Sequence, residues 1–205
     1  MKKIIQSSLL FCGFLSSCFA VESKESLAKN SKAINNKKLS EALISNNQPF
    51  LHKYLDSKNI DSRDKNNNTL LHKAIELGHE HAIALLLNKK ANVNALNNKN
   101  KTPLHIAAKK GNTKVVISLL ANKAKVNAKT NKNKTALHYA AQKGNKDIVA
   151  TLLSQGADIT AFDRFARTPM HTAIENNQIE VMQMLEKYAQ TLAKNPGKTN
   201  QNEDN

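Results

Sequence analysis

The sequence predicts an all-α solenoid of stacked helix–turn–helix units with short extended turn tips. Three observations predict it. First, one pattern recurs without insertion at a step of 33: TLLHKAIELGH from Thr69, TPLHIAAKKGN from Thr102, TALHYAAQKGN from Thr135 and TPMHTAIENNQ from Thr168. Second, each copy carries a helix start, an apolar stripe and a helix stop in that order. Third, the chain is 40% hydrophobic but 4% aromatic and has no Trp. Its core must therefore come from Leu, Ile, Val and Ala, which suits helices better than a β-sandwich.

The elements of one unit follow in order. Thr is a good N-cap, and Pro103 and Pro169 fall at the first helical position, where a missing N–H costs nothing. Leu104, Ala107 and Ala108 form an apolar stripe at helical spacing, and the small alanines let neighbouring helices approach. Gly78, Gly111 and Gly144 stop the first helix, because Gly accepts a left-handed backbone; Asn177 takes that place in the fourth copy. A second helix follows, for example over 114–122, carrying the apolar pairs Leu86-Leu87, Leu119-Leu120 and Leu152-Leu153. The units Ala91-Val93, Ala124-Val126 and Ala157-Ile159 then lead through a short extended turn to the next Thr. One unit cannot bury its own apolar face, whereas a stack builds a continuous core.

The 33-residue step and the T-P-L-H-x-A signature resemble the ankyrin repeat family, over residues 69 to about 190 directly. The resemblance implies a concave face made of the turn tips and the exposed side of the first helices, used by the family to bind other proteins. It also implies that His72, His105, His138 and His171 tie each helix start to the neighbouring turn. The chain departs from the family where a turn Gly is usual two residues before the Thr. Asn67, Asn100 and Asn133 stand there, and Asn tolerates positive φ. Ala166 tolerates it poorly, which predicts a reshaped turn or local strain in the fourth copy. Lys90 and Lys123 replace the Gly that the second helix keeps at Gly156, at up to ~1 kcal/mol each.

Outside the four copies, MKKIIQSSLLFCGFLSSCFA (1–20) reads as an export signal: a charged start, a short apolar run, then small residues to Ala20. The run is too short to span a membrane, which takes ~20 apolar residues. Cleavage is expected after Ala20; the alternative is LSSC, Leu15 to Cys18, which resembles a lipobox and would leave Cys18 as a lipid anchor. Residues 21–35 read as a polar linker and 36–68 as a degenerate N-terminal capping repeat, with Ser45 in the Gly78 position and Ile60-Asp61 in the Val93-Asn94 position. Residues 69–194 hold the four repeats. The last is the C-terminal cap, and its long helix from Ile179 should coat the open end with Gln, Glu and Lys. Residues 195–205 read as a disordered tail.

No chemistry of catalysis is legible. Both cysteines, Cys12 and Cys18, lie in the export signal, and no GxSxG, P-loop or HExxH motif occurs. The recurrent histidines do not suggest a metal ladder. Packed helix layers stand roughly 10 Å apart, whereas a Zn–N bond is ~2.0–2.1 Å. His79 and His81 flank Glu80, but a spacing of two does not share a helical face. No cofactor or metal is expected.

A binding surface remains. The tips are 62–68, 95–101, 128–134 and 161–167. ALNNKNK and AKTNKNK, the second and third, supply Lys99, Lys101, Lys129, Lys132 and Lys134. The fourth, AFDRFAR, combines Phe162, Arg164, Phe165 and Arg167, types enriched at interface hot spots. The competing expectation is that one of these Phe packs on the last helix pair. Tyr139 is a weaker candidate beside His138. The net charge of +15 comes with only three Arg, so specific nucleic-acid recognition, which favours bidentate Arg, is not expected. The sequence points to a monomeric, bacterial-type exported, non-enzymatic binder of an acidic protein partner. The alternative is lysine-mediated binding of an anionic polymer or membrane surface.

Overall fold

The computed structural model describes residues 37–194. The expected export signal, linker and tail lie outside the described residues. Among the described residues ten helices occur in order: α1 (37–44), α2 (Gln48–Tyr54), α3 (Leu70–Leu77), α4 (Glu80–Asn88), α5 (Pro103–Lys110), α6 (Thr113–Ala121), α7 (Ala136–Lys143), α8 (Lys146–Ser154), α9 (Pro169–Glu175) and α10 (Ile179–Lys194). The only sheet-like pairing among the described residues is an isolated antiparallel bridge between Arg63 and Thr69.

Each first helix begins the same way. Thr69, Thr102, Thr135 and Thr168 take extended φ/ψ as N-caps, and the third residue of the helix closes a capping box with them. That residue is His, where Glu or Gln is usual. Gly78, Gly111 and Gly144 end α3, α5 and α7 in the left-handed region, and Asn177 does so after α9 at φ 54°. Gly144 is held by its φ of +69°; a Cβ there would also meet the end of the Gln178 side chain, which can move aside.

First helices pack in a row, α3 on α5 on α7 on α9, with α6, α8 and α10 packed in sequence behind them. Ala74, Ala107, Ala140 and Ala173 are fully buried along this row, where a larger side chain would hold the helices apart. Leu71, Leu104 and Leu137 fill the layer beside them, each contributing about 2 kcal/mol through burial. At the back, the side-chain oxygens of Asp61, Asn94 and Asn127 accept from the backbone N–H of Asn92, Lys125 and Asp158 at 3.0, 2.8 and 2.9 Å. This stitch places Asp61 in the frame read from sequence.

Three expectations need correction. The fourth turn is not reshaped. Ala166 (φ 57°) matches Asn133 (φ 56°), and the closing bonds, Ala166 N–H to Asp163 O and Asp163 N–H to Arg167 O, copy those of the third tip. These bonds outweigh the ~1 kcal/mol cost of Ala in this region, so the strain is kept. In the capping copy the left-handed residue is Asn46 (φ 53°), one after Ser45. Ser45 instead bonds the Glu41 carbonyl through its hydroxyl, and Asn is the better left-handed residue. Finally, α10 coats only half of the open end. Glu186 stands where earlier units have Leu87, Leu120 and Leu153, but Ile174 on α9 is 53% exposed.

Candidate functional site

Each tip is a hairpin nucleated by one side chain. The Asp64, Asn97 and Asp163 Oδ1 atoms and the Thr130 hydroxyl each accept from the backbone N–H two and four residues on, at 2.8–3.3 Å. Successive tips are laced together. The N–H groups of Asn98, Asn131 and Arg164 donate to the carbonyls of Asn66, Lys99 and Lys132 at 3.1, 3.2 and 3.0 Å. The concave face therefore displays its side chains from a bonded frame.

The histidines complete that frame. Nδ1 of His72, His105 and His138 accepts from the Thr N–H at 3.2, 3.0 and 3.2 Å. Nε2 faces a carbonyl of the following tip: Lys101 at 2.9 Å, Lys134 at 3.1 Å and Arg167 at 3.0 Å, with Ala128 also 2.9 Å from His105. A carbonyl only accepts and a backbone N–H only donates, so each ring is neutral with its proton on Nε2. Burial is the first reason that all three imidazoles titrate below their ordinary value, His105 at about 4. Both nitrogens of these rings are committed to protein atoms. His171 keeps the Thr168 contact at 2.7 Å but is exposed, and no tip follows it among the described residues.

The concave positions differ between units. Copy one carries Asp64 and Glu76 beside Lys73, and copy four carries Asp163 and Glu175. At matching positions copy two has Asn97 and Lys109, and copy three has Thr130 and Gln142. The positive residues thus converge at the centre. Lys99 and Lys132 are exposed, while Lys101 and Lys134 are half-buried over the Tyr139 ring at 5.1 and 6.0 Å from its centroid. Burial, then neighbouring cations, depresses both half-buried lysines. Lys134 reaches Asp163 at 4.0 Å, but Lys101 makes no ion pair among the described residues. Tyr139 itself is buried edge-on against His105, so it shapes the seat of the lysines more than it offers surface. Lys129 is exposed at its own tip.

At the fourth tip neither Phe packs on the last helix pair: Phe162 is 56% and Phe165 57% exposed. Arg164 and Arg167 stack on the Phe165 ring at 4.6 and 4.8 Å. Arg167 is otherwise engaged, bonding Asp163 through Nε and Nη2 and Glu175 through Nη1 at 2.7 Å. Burial alone would raise the Asp163 carboxyl. Arg167 and the N–H groups of Phe165 and Arg167 outweigh it and hold the carboxyl at about 2. Arg164 is exposed, lies over the Phe165 ring and makes no ion pair among the described residues.

Sequence reasoning grouped these arginines and missed that Asp163 and Glu175 claim one of them. The signal was present: Asp64, Asn97, Thr130 and Asp163 recur at a step of 33, each a residue able to start a turn through its side chain. A family model described as ankyrin repeats (3 copies) matches residues 32–130 and 127–195. A search of curated proteins found no match.

Proposed function

Because the chain belongs to the ankyrin repeat family, whose repeats generally mediate protein–protein interaction, we propose that it is an exported, monomeric, non-enzymatic scaffold. In this reading it binds an acidic protein partner through its concave face. The observation that carries it is the charge arrangement: Lys99, Lys101, Lys109, Lys132 and Lys134 converge where both central units have lost the acids of the outer two. Such a focus steers an acidic partner and sets its register along the stack. Phe162, Arg164 and Phe165 at one end supply the contacts that select it.

Chemistry of turnover is not favoured. Each Thr–His pair has the spacing of nucleophile and base, but the hydroxyls also cap backbone N–H groups, and three of the four pairs are buried. No described helix is long and apolar enough to cross a membrane. Export would run through residues 1–20, leaving Val21 as the mature start; a lipidated Cys18 is the other outcome, and the mass of the mature N-terminus separates them.

The test is cross-linking and pull-down of the mature chain from its own compartment, followed by competition. A partner that stays bound in excess polyanion supports the proposal. Equal displacement by any polyanion supports the second reading, an anionic polymer or membrane surface held by Lys99, Lys101, Lys129, Lys132 and Lys134.

A further inference from the structure

At the C-terminal end of the described stack the back and front halves are closed differently. At the back of the fourth unit, Thr160 holds the place of Asp61, Asn94 and Asn127 but turns its hydroxyl to Asp158 at 2.7 Å. Glu186 replaces the leucine that earlier units bury (Leu87, Leu153) or half-bury (Leu120), and the Tyr188 hydroxyl reaches back to the Leu153 carbonyl at 3.3 Å. That half is finished against water.

The front half is not. Ile174 stands at the position of Ile75, Ala108 and Ala141, which the next unit buries almost completely. His171 holds the place of three imidazoles whose Nε2–H donates to the next tip, and here that nitrogen has no protein partner among the described residues. The Phe165 carbonyl continues the row of Asn66, Lys99 and Lys132 and also has none among the described residues. Phe162 occupies the position of Arg63, whose side chain reaches forward to the Leu96 carbonyl at 2.7 Å. No unit follows Phe162 among the described residues.

We infer that the fourth tip continues into this front edge, formed by Phe162, Phe165, His171 and Ile174, and that the edge is a docking surface that receives an acidic turn of a partner protein. The kind of segment is set by continuity with the interface between units. Inside the stack, each such edge receives a turn that offers the N–H of one residue and the carbonyl of the third residue after it, as Asn98 and Lys101 do. An incoming turn of that shape would accept from His171 Nε2, donate to the Phe165 carbonyl and lay an apolar side chain on Ile174 and Phe162. The acid is asked for by Arg164, unpaired and stacked on Phe165 at the same edge. A second copy fits less well, because the chain carries +15 and its first tip brings Arg63 and Lys65 to meet Arg164. This edge lies beyond the concave lysines, so its test stands apart from theirs.

The probe is a library of random peptides closed by a disulfide, panned on the full chain. Enriched loops are expected to carry a carboxylate and an aliphatic or aromatic residue. By fluorescence anisotropy they should lose at least tenfold in affinity on His171→Ala and on Ile174→Glu. They should stay within twofold on the double change Lys101→Glu, Lys132→Glu. Ile174 and His171 are exposed, so circular dichroism should match the parent, and Phe162→Ala gives a third variant. Loops that follow the lysine change and ignore His171 and Ile174 overturn the inference while leaving the concave-face proposal in place. Failure to enrich any loop also overturns it. So does a dimer in sedimentation that dissolves on Ile174→Glu, since a second copy would then be the occupant.

Discussion

His138 and His171 sit one period apart in the same capping box, yet one is fully buried and the other exposed. Both bond their own Thr at short range, 2.9 and 2.7 Å. Only His138 also meets the following tip, at the Arg167 carbonyl. The energetic worth of this residue therefore comes from the unit after it, more than from the helix it caps. Equal letters at equal positions do not carry equal energies in a stack, because each unit is completed by its neighbour.

The largest effect expected from that contrast is in stability. His138→Ala strands the Thr135 N–H away from water, leaves the Arg167 carbonyl with only its Asp163 N–H bond and opens a cavity, at a cost of about 4 kcal/mol. His171→Ala should cost under about 1 kcal/mol, since water replaces what is lost. Urea unfolding of the two variants measures both. Equal losses would mean that the cap itself, and not the neighbour, sets the value.

Acid should sharpen the same contrast. Unfolded imidazoles take up protons below about pH 6.5, whereas folded His105 does so only at about 4. The unfolded state binds more protons across that window, so stability falls as pH drops through it and levels off below. His105 alone accounts for about 3 kcal/mol at the bottom of the window, and His72 and His138 shift in the same direction. Unfolding midpoints between about pH 7 and about pH 4.5 should show the decline. His105→Ala should flatten most of it.

A smaller effect separates the central units from the fourth in binding. Reversing Lys101 and Lys132 to Glu should slow association with the acidic partner about tenfold and weaken its salt dependence. Phe162→Ala with Arg164→Ala should act on dissociation and cost about 2 kcal/mol. Stopped-flow and surface-plasmon kinetics distinguish the two. If the double change at the fourth tip leaves affinity untouched, that tip is no hot spot.

How much of this was legible follows from what a repeat conceals. The fold, the Thr caps, the prolines and the left-handed stops were readable because each rests on local backbone chemistry, and four copies repeat it in phase. The central lysines were readable as residues, though not as a focus. That required seeing that Asn97, Lys109, Thr130 and Gln142 stand where the outer units keep acids. The role of Arg167 was hidden because its partners, Asp163 and Glu175, flank it at spacings of four and eight, and only the turn brings both to one guanidinium. The open front edge was hidden for the opposite reason: His171 and Ile174 look like every other copy, and their difference is that no further turn packs on them among the described residues.

The smallest effect tests whether strain was rightly placed in the fourth turn. Asn67, Asn100, Asn133 and Ala166 all hold φ between 50° and 63°. Asn relieves part of the cost of that region through its polar side chain, and Ala has nothing to offer there. Gly removes the steric cost but gives the unfolded chain more freedom, which offsets part of the gain. Ala166→Gly should therefore stabilise by up to about 1 kcal/mol, and Asn133→Gly by close to nothing. Lys123→Gly, at φ 64° after α6, should resemble Ala166→Gly, because a Lys side chain is no better suited to that backbone. Thermal unfolding resolves differences of this size. A destabilised Ala166→Gly would mean that the Ala methyl makes a contact worth more than the strain, and the fourth turn would then be held by packing as well as by Asp163.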